Sequence, residues 1–334
     1  MIENQENFSA GIGNTPLIKL KAASEITSCN IYGKAEFLNP GGSVKDRAAL
    51  ALIKDAQDKK LISKGGTVVE GTAGNTGIGL GLLGNSLGYK TIIVMNDNQT
   101  QEKKDILKNL GAELKLVPAK PFKDENNYVK VASRLADELR PNNNNGVIWA
   151  NQFDNTANAK GHYEGTGKEI WDQTDGKVDA FICSSGTGGT ISGVSNALKE
   201  KNKNIKIYLS DPKGSSLYNY IKHGELKSEG NSITEGIGSS RITKNFENAK
   251  IDDAFSIDDH EALPILYDLI KNEGLSLGTS CGINIAGAIR LGKELGPGKT
   301  IITILCDKSD KYASKMFNKK FLDEKGLNYP DWIK

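Results

Sequence analysis

Thr67-Val68-Val69-Glu70 is a short apolar run that closes on Gly71-Thr72-Ala73-Gly74-Asn75-Thr76-Gly77, after which small and apolar residues continue to about Leu87. The run reads as a buried strand, the glycine-rich segment as the turn that opens a helix, and residues 91–95 as the next strand. Strand, glycine-rich turn, helix and strand make a βαβ unit, so the two strands run parallel. The alternation continues downstream, with a helix over residues 101–110, a strand over 113–117 and an amphipathic helix over 127–139. Upstream, strands are expected over 17–20 and 31–37, and a helix over 47–56. Strands separated by helices of ten or more residues imply a mostly parallel sheet covered on both faces, an α/β fold.

Pro141-Asn142-Asn143-Asn144-Asn145-Gly146 has no core-forming residue and is the linker candidate. Beyond it a second α/β series begins, with strands over 178–184 and 205–209 separated by a glycine-rich turn at 186–190 and a helix over 191–199. Residues 211–250 are rich in glycine and serine and read as loops and short helices. A helix over 258–272, a strand over 275–278, a small-residue helix running to 295 and a strand over 300–306 complete the series.

The chain has 334 residues, 37% hydrophobic and 25% charged, with 43 basic residues against 41 acidic ones, a formal net charge of +2. A balance so close to neutral gives no electrostatic footprint for nucleic acid or an anionic membrane, so a small-molecule ligand is expected. No apolar run approaches the about 18 residues that span a bilayer, and residues 1–10 do not read as a signal peptide, which sets the expectation of a cytoplasmic protein. Cys29, Cys183, Cys281 and Cys306 are scattered and read as reduced thiols. His162, His223 and His260 stand apart from them and from one another, so no metal site is expected.

Asn39-Pro40-Gly41-Gly42-Ser43-Val44-Lys45-Asp46-Arg47 places Lys45 in the first turn of a helix, with Ser43 as N-cap. A cation is disfavoured at that electropositive end, which favours the neutral amine that Schiff-base chemistry needs. A surface lysine is the alternative reading. Ser185-Gly186-Thr187-Gly188-Gly189-Thr190 concentrates amides and hydroxyls at a strand-to-helix turn, suited to a phosphate or simply a tight turn. It is not a Walker A loop, because no lysine follows. Gly79-Leu80-Gly81-Leu82-Leu83-Gly84 matches a dinucleotide fingerprint, yet it lies inside the expected helix instead of at its turn, so close helix packing competes with cofactor binding. Ser280 is either a site residue or an ordinary N-cap.

Taken together, residues 39–47, Thr72 to Gly77, Gly186 to Thr190 and Ser280-Cys281-Gly282, preceded by Gly13-Asn14-Thr15-Pro16-Leu17, resemble the cysteine synthase (O-acetylserine sulfhydrylase) branch of the fold-type-II, tryptophan synthase β-like, pyridoxal-phosphate enzymes. The resemblance covers roughly residues 10–320 and extends to Asn151-Gln152-Phe153 and Gly236-Ile237-Gly238. It implies two lobes, each a mostly parallel twisted sheet flanked by helices, with pyridoxal 5'-phosphate in the cleft between them. The catalytic region would be residues 10–307, made of a smaller mobile lobe (38–148) and a larger lobe (10–37 plus 149–307), with 308–334 as a peripheral tail.

Residue by residue, the resemblance implies that Lys45 forms the internal aldimine and later removes the substrate α-proton. Gly186, Thr187, Gly188, Gly189 and Thr190 would hold the cofactor phosphate, Asn75 the ring 3′-oxygen and Ser280 the ring nitrogen. A serine hydroxyl is too weak an acid to protonate that nitrogen, which favours loss of a β-leaving group over transamination. Thr72, Ala73, Gly74, Asn75, Thr76 and Gln152 would grip the substrate carboxylate, and Gly236, Ile237 and Gly238 would border the cleft. Gly41 and Gly42 would give the cofactor ring room to approach the backbone. The implied reaction is β-replacement, in which O-acetyl-L-serine loses acetate to give an α-aminoacrylate and sulfide adds to give L-cysteine. The implied partners are the amino-acid substrate and sulfide, a second copy in a homodimer, and serine acetyltransferase.

Two departures stand out. Ala73 replaces the serine of many relatives, and Asp307-Lys308-Ser309-Asp310-Lys311-Tyr312 differs from the usual Asp-x-Gly-x-Arg-Tyr, which puts the turn after the last strand in question. The rival reactions are cystathionine formation, expected with an appended regulatory domain or haem-binding extension for which this chain has no room, and use of O-phosphoserine, with Arg241 as the cation near its leaving group. From other classes, the rivals are a nicotinamide oxidoreductase and a catalytically silent binding protein.

Overall fold

The computed structural model describes residues 8–72 and 74–334, and they form two compact units. The strands are β1 (Leu17–Lys19), β2 (Asn30–Lys34), β3 (Thr67–Gly71), β4 (Lys90–Asn96), β5 (Glu113–Val117), β6 (Val147–Trp149), β7 (Ala180–Cys183), β8 (Lys206–Pro212), β9 (Asp253–Ile257) and β10 (Thr300–Ile304).

The first unit comprises residues up to Gly13 and 39–161. Its four-stranded sheet has the order β5-β4-β3-β6, all parallel. β3 is buried along its whole length, as a central parallel strand must be when helices cover both faces. On one face Leu52, Ile53, Val68, Leu80 and Leu83 pack together, on the other Val69, Val94, Ala132 and Ala136. The second face is closed by helix Tyr128–Leu139, whose N-cap Asn127 accepts the Val129 amide at 3.0 Å. The asparagine run 141–146 is no free linker. Asn145 O receives the Ser63 amide, Asn143 Nδ2 bonds Thr67 Oγ1 at 3.1 Å, and the chain continues into β6 of the same sheet.

The second unit comprises 14–38 and 162–334. Its six strands run β1-β2-β10-β7-β8-β9, parallel apart from β1, which pairs antiparallel with β2. Helix Thr279–Leu295 lies along this sheet with its residues from Thr279 to Ala288 all buried. Gly287 permits that approach, since a Cβ there would stand 2.3 Å from Ser210 Oγ. The residues 308–334, expected as a peripheral tail, place Tyr312, Met316, Leu322, Leu327 and Ile333 in this unit's core.

Two local expectations change. The strand expected over 275–278 is reduced to a single bridge, Leu277 to Lys308, because Gly278 already caps the following helix. β9 lies just past the 211–250 stretch read as loops, in residues to which no element was assigned, and its pairing with β8 supplies what its half-exposed side chains do not. Among the described residues no helix is long and apolar enough to cross a membrane.

Candidate active site

The residues singled out in the sequence divide between the two units, and each half has its own geometry. In the first unit, Lys45 is the first residue of helix Lys45–Asp58 and is partly exposed. Ser43 Oγ accepts its amide at 3.2 Å, although Val44 takes the N-cap position. The turn before it is closed by Gly42, whose φ of +79 demands glycine and whose amide donates to Asn39 O at 2.8 Å. Gly41 has a local reason of its own. Its amide donates to Asp46 Oδ2, and a Cβ there would stand 2.5 Å from the Asp46 carboxylate, so that contact alone requires glycine.

Helix Asn75–Leu87 starts beside the Lys45 helix. A Cβ on Gly79 would stand 3.2 Å from Ala49 Cβ and 3.4 Å from Asp46 Cα. A Cβ on Gly84 would meet Thr91 Oγ1 at 2.4 Å, so Gly79 and Gly84 serve helix packing inside this helix and not a dinucleotide turn. The turn itself is Thr72 to Thr76. Thr72 ends beside β3 with its amide on Val94 O, and its hydroxyl accepts the Gly74 amide at 3.2 Å. Gly74 is exposed, caps the helix without a side-chain bond, and has open space where a Cβ would be. This leaves an electropositive helix start suited to a carboxylate. Ala73 lies outside the described residues. The Thr76 hydroxyl donates to Gln152 Oε1 at 2.6 Å, so Gln152 joins this turn from just beyond β6.

Behind Gln152 stands Glu70, which the sequence reading did not single out. Gln152 directs its amide and its Nε2 to the two Glu70 carboxylate oxygens, each at 3.4 Å. Complete burial, only partly offset by these bonds and by the amides of Asn151 and Gly71, pushes the Glu70 carboxyl up to about 8.

In the second unit, Gly186 to Thr190 runs from β7 into helix Gly189–Lys201. Gly188 takes the N-cap position at φ +88, without a side-chain cap bond. A Cβ on Gly188 would stand 2.5 Å from the Phe246 amide nitrogen, and Thr243 bonds Thr187 O at 2.7 Å. The loop Gly236-Ile237-Gly238 lies directly against this turn. The Gly238 amide donates to Ser185 O at 2.8 Å, and a Cβ on Gly186 would meet Gly236 O at 2.3 Å. Arg241 follows that loop, its amide on Ser239 Oγ at 3.1 Å.

Ser280 is buried as the second residue of its helix, so the N-cap role falls to Gly278. Four residues on, Asn284 Oδ1 accepts the Ser184 amide at 2.7 Å while Nδ2 donates to Ile304 O, which ties this helix to the strand end that delivers the glycine turn. His162, fully buried, reaches Thr190 Oγ1 through Nε2 at 3.3 Å and Thr166 through Nδ1 at 2.8 Å. An asparagine between isoleucines on an apolar helix was a readable signal for Asn284. Nothing local marked His162. The turn after β10 is intact despite its departures, since Tyr312 donates to Asp307 Oδ2 at 2.6 Å. Among the described residues no group of three or more His, Cys, Asp or Glu side chains is placed to hold a metal ion.

Against this geometry stand the comparisons. The pyridoxal-phosphate dependent enzyme family matches residues 8–307. Cysteine synthase 1 of Neurospora crassa is 48% identical over 96% of this chain and 86% of that protein. Cysteine synthase 1 of Emericella nidulans is 49% identical with the same coverage. Among solved structures, a hydrogen sulfide-producing enzyme of Fusobacterium nucleatum superposes with a TM-score of 0.82 at 33% identity, covering 93% of this chain and 98% of that one.

Proposed function

The chain belongs to the pyridoxal-phosphate dependent enzyme family, and within that family we infer that it is a cysteine synthase. The observation that carries this reading is near-half identity, over 96% of the chain, to two proteins named cysteine synthase 1. The reaction we assign is replacement of the acetoxy group of O-acetyl-L-serine by sulfide, giving L-cysteine and acetate.

The residues present fit the cofactor. An uncapped helix start at Gly188, with neutral amide and hydroxyl donors held close by glycines packed against the Gly236 and Phe246 backbone, suits a phosphate dianion better than any cationic or apolar group. Gly186 to Thr190 would take that phosphate, Asn75 the ring 3′-oxygen and Ser280 the ring nitrogen. When bound, pyridoxal phosphate supplies an electron sink for the α-carbon of an amino acid.

The chain's own residues do the rest. Lys45 would carry the cofactor through Nζ and, once displaced by the substrate amino group, take the proton from Cα. Thr72, the amides from Ala73 to Thr76, and Gln152 would hold the substrate carboxylate so that this proton faces Lys45. Gly236 to Gly238 would border the substrate. Ser280 and Thr190 stand at the starts of their helices behind Gly278 and Gly188; both are neutral hydroxyls, so Ser280 Oγ would offer the ring only a hydrogen bond.

The test supplies the purified holoenzyme with one donor at a time, O-acetyl-L-serine, O-phospho-L-serine or L-serine, together with sulfide or L-homocysteine, and measures L-cysteine and cystathionine. The highest kcat/KM is expected with O-acetyl-L-serine, and a preference for serine with homocysteine, yielding cystathionine, would replace this reading. A homodimer and a complex with serine acetyltransferase, supported by the resemblance alone, and a cytoplasmic location, supported by the sequence of residues 1–10, are further proposals. Sedimentation of the purified chain with and without the acetyltransferase tests the first two.

A further inference from the structure

β3 and β6 are parallel neighbours in register Val69 to Trp149, and the last ladder bond is the Ala150 amide to Val69 O at 2.9 Å. The chain leaves the sheet at Asn151, a non-glycine residue at φ +51, a conformation that costs free energy unless its surroundings hold it. That left-handed residue turns the Gln152 amide back onto Glu70 and carries the Gln152 side chain to the same carboxyl. Asn158 Nδ2 fixes the turn from outside by bonding Gln152 O at 2.9 Å.

The two ends of the Gln152 amide are thereby distinguished. Its oxygen accepts from Thr76 and its nitrogen donates to Glu70, so the side chain has one orientation. A continuous chain of hydrogen bonds runs from the buried β3 carboxyl through Gln152 to the first turn of helix Asn75–Leu87.

We propose that Glu70 is a positioning residue that orients Gln152 for the substrate carboxylate, and that it does so as the neutral acid, its ionisation weakening substrate binding. The proposal rests on reading Thr72 to Thr76 and Gln152 as the carboxylate grip. A second carboxylate behind that grip would have the same sign as the ligand, in a buried setting where charges are poorly screened. Among the described residues, the leading influences on Glu70 are its burial and bonds from the amides of Gly71, Asn151 and Gln152 and from the Gln152 side chain, and no cation stands among them. The ionisable group that feels its charge from a packed element is Tyr128, on helix Tyr128–Leu139, a phenol raised by its own burial and then by Glu70. Burial puts the Glu70 transition at about pH 8, within the range where enzymes work.

The experiment measures, on the holoenzyme from pH 6.5 to 9.5, KM for O-acetyl-L-serine and the dissociation constant for L-alanine, which has the carboxylate but no β-leaving group. Wild type is compared with Glu70→Gln, which keeps the shape and cannot ionise. The wild-type constants, divided by those of the variant, should rise about tenfold between pH 7 and 9, with the kcat ratio flat, since titration of the ligand's amino group cancels in the ratio. If Glu70→Gln does not fold, Glu70→Met replaces it as the variant that cannot ionise, and the same ratio must rise with pH. Equal pH slopes in wild type and variant overturn the proposal, as does a wild type that binds L-alanine at no pH. L-alanine binding with the expected pH dependence, in an enzyme inert toward O-acetyl-L-serine, supports Glu70's role and refutes the cysteine synthase reading alone.

Discussion

The hydroxyl of Thr76 donates to Gln152 Oε1 at 2.6 Å, joining residues 76 positions apart in the chain and both almost wholly buried. Thr76→Val keeps the shape and removes the donor. The Gln152 amide then loses the bond that fixes its oxygen end, and the substrate carboxylate loses an oriented partner. KM for the amino-acid donor is expected to rise about tenfold while kcat changes less than threefold, the loss of about one charge-assisted hydrogen bond. Steady-state kinetics at saturating sulfide check this split.

Glu70 also predicts a pH dependence of stability. Its carboxyl titrates at about 8 in the folded chain against 4.5 as the ordinary value, so the folded state binds the proton more tightly than the unfolded one. The stability it contributes is complete below pH 4.5 and is lost as pH rises toward 8. Relative to Glu70→Gln, wild type should therefore lose on the order of 4 kcal/mol across that window. Urea unfolding of both proteins at pH 5, 6.5 and 8 measures the difference.

Gly188 combines φ +88 with a Cβ position 2.5 Å from the Phe246 amide nitrogen. Gly188→Ala is expected to shift the glycine turn, lower stability by about 2 kcal/mol or more, and weaken pyridoxal phosphate binding to the apo-protein by at least about tenfold. Titration of apo-protein with the cofactor, followed by absorbance, separates this from loss of turnover.

In the second unit, Lys34 is fully buried and bonds Glu169 at 2.7 Å, Gln173 Oε1 at 3.0 Å and Thr15 O. Lys34→Met removes the cation that Glu169 faces and should cost about 3 kcal/mol, part of which the further change Glu169→Leu should restore. Denaturant midpoints of the single and double variants give the comparison.

The parallel architecture was readable because its signal is local. Apolar runs such as 67–70 and 91–95, separated by a helical stretch, admit few arrangements other than βαβ. β9 escaped because Asp253–Ile257 is only half buried and becomes a strand through its pairing with β8. Ser280 was rightly placed at the start of a helix, but Gly278 takes the cap, because the chain turns at the Leu277 bridge before it reaches the serine.

Lys45, the Thr72 to Thr76 turn and the Gly186 to Thr190 turn stood out because each combines glycines with functional side chains in a few consecutive residues. Glu70 looked like any strand residue. Its surroundings are made by Gln152, 82 positions away, so its chemistry became visible only when β3 and β6 came together.

The most direct test incubates the purified holoenzyme with O-acetyl-L-serine and sulfide and quantifies both products, in wild type and in Lys45→Ala. L-cysteine and acetate are expected in equal amounts from wild type, with turnover reduced by at least about a thousandfold in the variant. Wild type that forms no L-cysteine, or a Lys45→Ala variant that forms it at the wild-type rate, would contradict this expectation.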